Sequence, residues 1–283
     1  MRVSIVMNVL NMIGNAITIY GFGMGAAGAG LATLISRIVG AVLIQSPLRK
    51  PESVIPCPNI LQFEWEPTLV RKIFSIGLPN GLENGLFQMG KLVLLSMVST
   101  FGTASVAANA VGNTMGTIQC LIGNAISLAM ITVVGQCVGA GEYTQARVYT
   151  RRLMRLCYLT MGTFNLILLA LNPVICKPFN LSPETEQLAR QIVAIHGAGA
   201  VVFWPLSFVL PNSLRAAGDA RYTMTVSVFS MAVFRIVFGY LLAMPVGMGV
   251  VGVWCAMQID WVFRITMFVI RFKGHKWESK ALV

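Results

Sequence analysis

Of the 283 residues, 56% are hydrophobic and only 11% are charged, and the mean hydropathy is +0.73. These values exclude an ordinary soluble globular domain and place the chain in a lipid bilayer. The formal net charge of +11 does not point to nucleic acid as a partner, because the basic residues are scattered over five short loops and form no continuous patch.

Apolar runs long enough to cross ~30 Å of hydrocarbon fall at roughly 3–22, 25–46, 73–100, 105–136, 151–175, 187–210, 223–244 and 248–270. The chain is therefore expected to be an all-α polytopic membrane protein with about eight transmembrane helices. Val3 to Tyr20 is read as a span, not as a signal peptide, since it lacks a small-residue cleavage site and a second apolar run follows at once. Of the 21 Lys and Arg, 15 sit in alternate connecting segments: Arg2; Arg49, Lys50, Arg71 and Lys72; Arg147, Arg151, Arg152 and Arg155; Arg215 and Arg221; and Arg271, Lys273, Lys276 and Lys280. The positive-inside rule makes these segments cytoplasmic, so both termini are expected inside the cell.

Shifting the chain against itself by 224 residues lays GMGAAG (23–28) on GMGVVG (247–252), Met7 on Met231 and Asn11 on Arg235. The helix pairs 3–46 and 227–270 then coincide, which marks an internal duplication. GMGAAG also matches G-x-G-x-x-G, but a long apolar run precedes it where a dinucleotide site needs a short strand, so a tight helix–helix turn is expected. GQCVGAGEYTQAR (135–147) lacks the Lys-Ser/Thr of a phosphate-binding loop and is likewise read as a turn. The six cysteines, at 57, 120, 137, 157, 176 and 255, form no C-x-x-C pair and predict no metal site.

Function should rest on the few ionisable groups inside spans, because each is costly in hydrocarbon. Arg37 and Arg190 lie near span ends and are expected to snorkel. Glu83 follows Pro79 by one turn, and Asn80, Asn84 and Gln88 form a stripe beside it. Glu83 either holds a coupling proton or Na⁺ or is a structural carboxylate paired with Lys91. Asp260 and Arg264 are spaced i,i+4, and Arg235 comes from the preceding helix; together they form a structural tie or a gate. His196 is either a proton relay or a buried hydrogen-bonded side chain. Trp204-Pro205 and Pro211 interrupt the span 187–210, as expected beside a central cavity. Phe87, Met89, Met97, Met130, Trp204 and Phe208 either line that cavity, suiting flat apolar cations, or face core and lipid. No span carries a Ser-His, paired-Asp or His-x-x-x-His arrangement, so no catalytic residue and no enzyme is expected.

Four stretches, taken in order, carry a family resemblance: IGLPNGLENGLFQMGKLVL (76–94), VGQCVGAGEYTQAR (134–147), PNSLRAAGDARYTM (211–224) and SMAVFRIVFGYLL (230–242). With them the chain resembles the multidrug and toxic compound extrusion (MATE) transporters, over nearly its whole length. The resemblance implies two pseudo-symmetric six-helix bundles. Residues 1–48 would be the last two helices of the first, 49–72 a cytoplasmic linker, 73–272 the complete second bundle and 273–283 a tail, with four helices missing before Met1. In PNSLRAAGDARYTM, Arg215 and Arg221 would hold the loop at the cytoplasmic face, and Asp219 would cap the next helix or pair with either arginine. The family's coupling carboxylate falls where this sequence has Phe87 and Gln88. The implied activity is export of organic cations, drugs or other amphipathic compounds by antiport with H⁺ or Na⁺ across the plasma membrane, with no cofactor beyond the coupling ion. A missing N-terminal half or a homodimer partner would complete the pathway. A flippase for lipid or polyprenol-linked precursors, or a non-transporting remnant or partner subunit, are the alternatives.

Overall fold

A computed structural model describes residues 2–48 and 65–278, and among them it is built of helices with no strand. The chain divides into two compact units, Met1–Glu66 and Pro67–Val283. Within the first, α1 (Arg2–Asn15) runs on through a π-helical segment, Ala16–Gly21, and packs against α2 (Gly25–Leu48). The pair is antiparallel, since Asn11 meets Thr33 and Ser36 while Met7 lies against Gly40.

The second unit contains α3 (Pro67–Ser99), α4 (Thr103–Gly139), α5 (Tyr143–Ala170), the short α6 (Asn172–Ile175) and α7 (Pro183–Val202). Ser182 caps α7 by accepting from the Thr185 backbone N–H, with Pro183 at the first helical position and Glu184 and Glu186 in the first turn. A π-helical segment, Pro205–Val209, leads into α8 (Leu210–Ala216), and the chain bends by 64° between α7 and this pair. Pro205, which lacks a backbone donor, sits at the break and accounts for it. Next come α9 (Ala220–Ser230), a π-helical segment Met231–Val237, α10 (Phe238–Ala243) and α11 (Gly249–Lys273). Helix α4 is the centre of the bundle, in contact with α5, α7 and α8, while α11 packs on α10 and α7. Trp261, Phe268, Met130 and Ile192 are fully buried between them. Leu128, Leu159 and Ile270 face outward, which fits a protein whose surroundings are as apolar as its core.

The duplication is present in the backbone itself. Gly23 and Gly25 have φ of 62° and 53°, and Gly247 and Gly249, 224 positions on, have 78° and 55°. Only glycine adopts these angles without strain. Met24 N–H donates to Thr18 O at 3.1 Å and Met248 N–H to Leu242 O at 3.1 Å, again the same two positions in each copy. A Cβ on Gly28 would lie 2.9 Å from Thr18 Cβ, and one on Gly252 would lie 2.8 Å from the Leu242 carbonyl carbon. Both glycine-rich segments are thus close-packed helix–helix turns, as expected.

Six helices among the described residues are long and apolar enough to span a membrane, and the bent α7–α8 pair makes a seventh. The eighth expected span is α3, 33 residues long, whose Asn80, Glu83, Asn84, Gln88 and Lys91 lower its apolarity. It starts at Pro67, so the second unit begins ahead of the expected boundary at 73. Of the expected linker 49–72, residues 49–64 lie outside the described residues.

Candidate functional site

The site is built around one buried carboxylate. Asp260 on α11 is fully buried, and Arg264, one turn on, is 2% exposed. Arg264 Nε donates to Asp260 Oδ1 at 3.0 Å, and its Nη2 donates to the Ser227 carbonyl at 3.1 Å. Ser230 Oγ donates to the same Asp260 Oδ1. Arg235 comes from the π-helical segment between α9 and α10, with Nη1 3.7 Å from Asp260 Oδ2 and Nη2 donating to Met257 Sδ at 2.9 Å. Its Nε, also buried, has no hydrogen-bond partner. Arg235, Asp260 and Arg264 therefore meet as expected, and two guanidinium groups against one carboxylate leave the cluster with net positive charge.

Beside it lies a cavity of about 780 Å³, wholly within the second unit. Phe87, Gln88 and Lys91 reach it from α3; Asn109, Asn113 and Asn124 from α4; Trp254 and Met257 from α11. Lys91 and Arg235 are the charged side chains on its wall among the described residues, and no Asp or Glu joins them there. The Phe87 ring faces three cations: Lys91 Nζ at 5.2 Å, the Arg235 guanidinium at 5.2 Å and that of Arg264 at 5.6 Å. Such contacts attract each cation to the ring face. An aromatic ring held by positive charge thus occupies the region where the family resemblance would put a carboxylate.

His196 is also on the wall, with Nδ1 2.5 Å from Gln119 Oε1 and the Trp254 and Trp261 rings edge-on at 5.5 and 5.4 Å. The Trp254 indole N–H donates to Asn109 Oδ1 at 3.1 Å. Trp204 stacks on Phe208, and both line the cavity, one on each side of Pro205. Pro205 sets that bend without itself being on the wall.

Other expectations need correction. Glu83 pairs with Arg215 of α8, at 2.5 Å, and not with Lys91; Arg215 also donates to Asn212 Oδ1 at 2.7 Å. Asn80, Glu83 and Asn84 lie on α3 ahead of Phe87 and outside the cavity wall, and Asn84 donates to the Asn80 carbonyl. Asp219 occupies the N-cap position of α9 but makes no side-chain cap; its carboxylate pairs with Arg271 at 2.7 Å, not with Arg215 or Arg221. Arg190 is held by Glu186 and the Pro173 carbonyl. Of the expected lining side chains, Phe87, Trp204 and Phe208 are present; Met89 faces outward, Met130 is in the core and Met97 packs against the core away from the wall. Gln119 and Asn109, polar residues inside the apolar run of α4, are functional neighbours that a search for polar residues in spans finds. The Trp254 and Trp261 positions had no such signal, being indistinguishable in sequence from core tryptophans.

Beyond α11, Trp277 stacks on Phe272 and packs edge-on against Tyr143, and Arg147 pairs with Glu278. Burial pushes the Glu278 carboxyl up, but hydrogen bonds from His275 and Arg147, with their charge, outweigh this and hold it below its ordinary 4.5.

Helices of bilayer length around a cavity walled by aromatic rings and amides, with ionisable groups buried at its side, define a polytopic membrane protein with an intramembrane site. The MatE family model matches residues 79–241, more than half of the chain, and the chain belongs to the MATE family. It is 25% identical over 280 residues to a protein named "Probable multidrug resistance protein NorM" from Thermotoga maritima, covering 98% of this chain and 60% of that one. It is 24% identical over 294 residues to "Uncharacterized transporter YisQ" from Bacillus subtilis, covering 100% of this chain and 62% of that one. A crystal structure titled as MATE in the straight conformation superposes with a TM-score of 0.87 at 18% identity, covering 98% of this chain and 62% of that one. The chain thus spans about 60% of the length of these relatives.

Proposed function

We propose that the chain is part of a secondary active transporter that exports amphipathic compounds, drugs among them, by antiport with H⁺ or Na⁺. The observation that carries this reading is the cavity of about 780 Å³, walled by aromatic rings and a few amides inside a bilayer-spanning bundle. A site of that size and lining suits a small molecule with one flat apolar face. The relatives named for multidrug resistance support the export direction. The distribution of Lys and Arg supports an orientation with both termini inside, and we take the membrane to be the plasma membrane.

In this reading Glu83 contributes to coupling through Arg215. When the carboxylate is ionised the pair ties α3 to α8; when a proton or Na⁺ takes the charge, α8 is released and the bend next to the cavity is free to change. The test uses the protein at its native length, purified from its own membranes and reconstituted in vesicles. Efflux of a fluorescent amphipathic compound should require an imposed pH or Na⁺ gradient and stop when that gradient is collapsed. Glu83→Gln should alter the ion dependence. Efflux from the wild type that ignores both gradients would falsify the antiport reading, and unchanged ion dependence in the variant would remove Glu83 from it.

A further inference from the structure

We infer that the cavity of the second unit takes an amphipathic anion, a flat aromatic body carrying one carboxylate, sulfonate or phosphate. This rests on the cavity being the substrate site proposed above, and it names the substrate class. Lys91 and Arg235 supply the charge on the wall, and among the described residues no acidic side chain lines it. The nearby Asp260 is fully buried behind the wall, its Oδ1 bonded by Arg264 and Ser230 and its Oδ2 paired with Arg235. An organic cation entering here would face two positive groups, with one carboxylate behind them that is shared between two guanidinium groups.

Arg235 gives the second argument. It is 9% exposed and ion-paired with Asp260 Oδ2 at 3.7 Å, beyond hydrogen-bond distance, so that its Nε and that oxygen both lack a hydrogen-bond partner, while its Nη2 has a thioether. A guanidinium carries five donors in a planar fork suited to two oxygens of a carboxylate or phosphate. Buried donors of this kind are normally satisfied, and an anionic group in the cavity would give the guanidinium a charge-assisted partner on its cavity side.

The internal repeat gives a third. At the equivalent positions of the first unit stand Asn11, Thr33 and Ser36, and Asn11 Nδ2 donates to both hydroxyls, at 3.1 and 3.4 Å. The same helix contact is therefore made with neutral, mutually satisfied groups. Arg235, Met257 and Asp260 put charge at these positions in the second unit alone, with Arg264 where the first has Gly40. The contact between helices does not require that charge. The rings of Phe87, Trp204 and Trp254 supply flat walls for the apolar part of the ligand.

The experiment is calorimetric titration of the 283-residue chain in neutral-lipid nanodiscs, with empty discs as the blank. The probes are 2-naphthoate and 2-naphthylmethylammonium, which share a ring system and differ in the sign of charge. Naphthoate should bind about tenfold or more tighter, because a charge-assisted hydrogen bond is lost and a repulsion gained on changing sign. Lys91→Gln should weaken naphthoate several-fold, and Lys91→Glu should narrow or reverse the preference. Lys91 has its accessible surface at the cavity and lies outside the Asp260 cluster, so these variants should fold. Arg235→Lys keeps the positive charge but removes the fork, and should weaken naphthoate while leaving the ammonium probe unchanged. Equal binding, a preference for the ammonium, or no binding of either probe overturns the anion assignment. Tight naphthoate binding in a protein whose native-length form shows no gradient-driven efflux keeps the anion site and overturns the transport reading instead.

Discussion

The hairpin α1–α2 and its counterpart formed by α9, α10 and α11 share a backbone and differ in their chemistry. Both make the same turn, with two left-handed glycines and the same hydrogen bond across it. Both bring the same three positions together midway along the helices. In the first copy those positions are an amide and two hydroxyls; in the second they are a guanidinium, a thioether and a carboxylate. The turn is fixed by steric demands that only glycine meets, so it is preserved in both. The midpoint is held by any compatible set of side chains, so it is where the two copies are free to diverge in function.

Removing the charge at one partner should separate the copies most sharply. Asp260→Ala leaves two buried guanidinium groups uncompensated and should destabilise the second unit by about 3–5 kcal/mol, read as a lower Tm in detergent. Ser36→Ala, at the equivalent position, removes a weak hydrogen bond from Asn11 and a local one to the Thr33 carbonyl and should cost about 1–2 kcal/mol. Similar losses at the two positions would break the distinction. Where the copies agree, the effects should agree. Gly28→Ala and Gly252→Ala each place a Cβ about 3 Å or less from the facing helix, and each should cost about 1–3 kcal/mol through overpacking. Thermal unfolding of both variants checks this, and a large inequality would mean that the turns are not equivalent.

A third change tests whether the charge serves stability at all. Converting Arg235, Met257 and Asp260 to the Asn, Thr and Ser of the first copy, with Arg264→Leu to avoid an orphan cation, should leave stability within about 2 kcal/mol of wild type, since replacing a complete buried ion cluster is often near neutral. Naphthoate binding should be lost in the same protein. The smallest effect concerns the end of α11. Glu278 has a depressed folded pKa, so its pairing with Arg147 is fully present above its ordinary 4.5 and is lost as pH falls through the lower folded value. Protease sensitivity of the segment after Lys273 should rise only below about pH 4.5, and Glu278→Gln should remove that pH dependence.

Much of this was legible in the sequence because it is local or periodic. The spans follow from apolar run length, the repeat from its glycines, and the Asp260–Arg264 contact from a spacing of one helical turn. Arg235 joined them through the repeat and its adjacent helix. The Glu83–Arg215 and Asp219–Arg271 pairs were not legible, because each joins elements far apart in the chain and several arginines were equally eligible partners. The phase of α3 was also hidden: the stripe of Asn80, Asn84 and Gln88 is exposed while Glu83 beside it is buried, so the polar pattern did not indicate that Phe87 faces inward and Met89 outward. The π-helical segments that shift the facing of side chains partway along a span leave no simple sequence mark.

The bend at Pro205 has a mechanical consequence. Trp204 and Phe208 form part of the cavity wall and also flank the bend, so cavity width and bend angle are one variable and not two. From Pro205 to Ala216 the chain is a lever nearly 20 Å long at ~1.5 Å per residue, and Arg215 rides near its tip. Tilting it by ~10° displaces the tip by roughly 3 Å, more than a hydrogen bond tolerates. A tilt of that size would part the Arg215–Glu83 contact, so α8 would be either tied to α3 or free of it, with nothing in between.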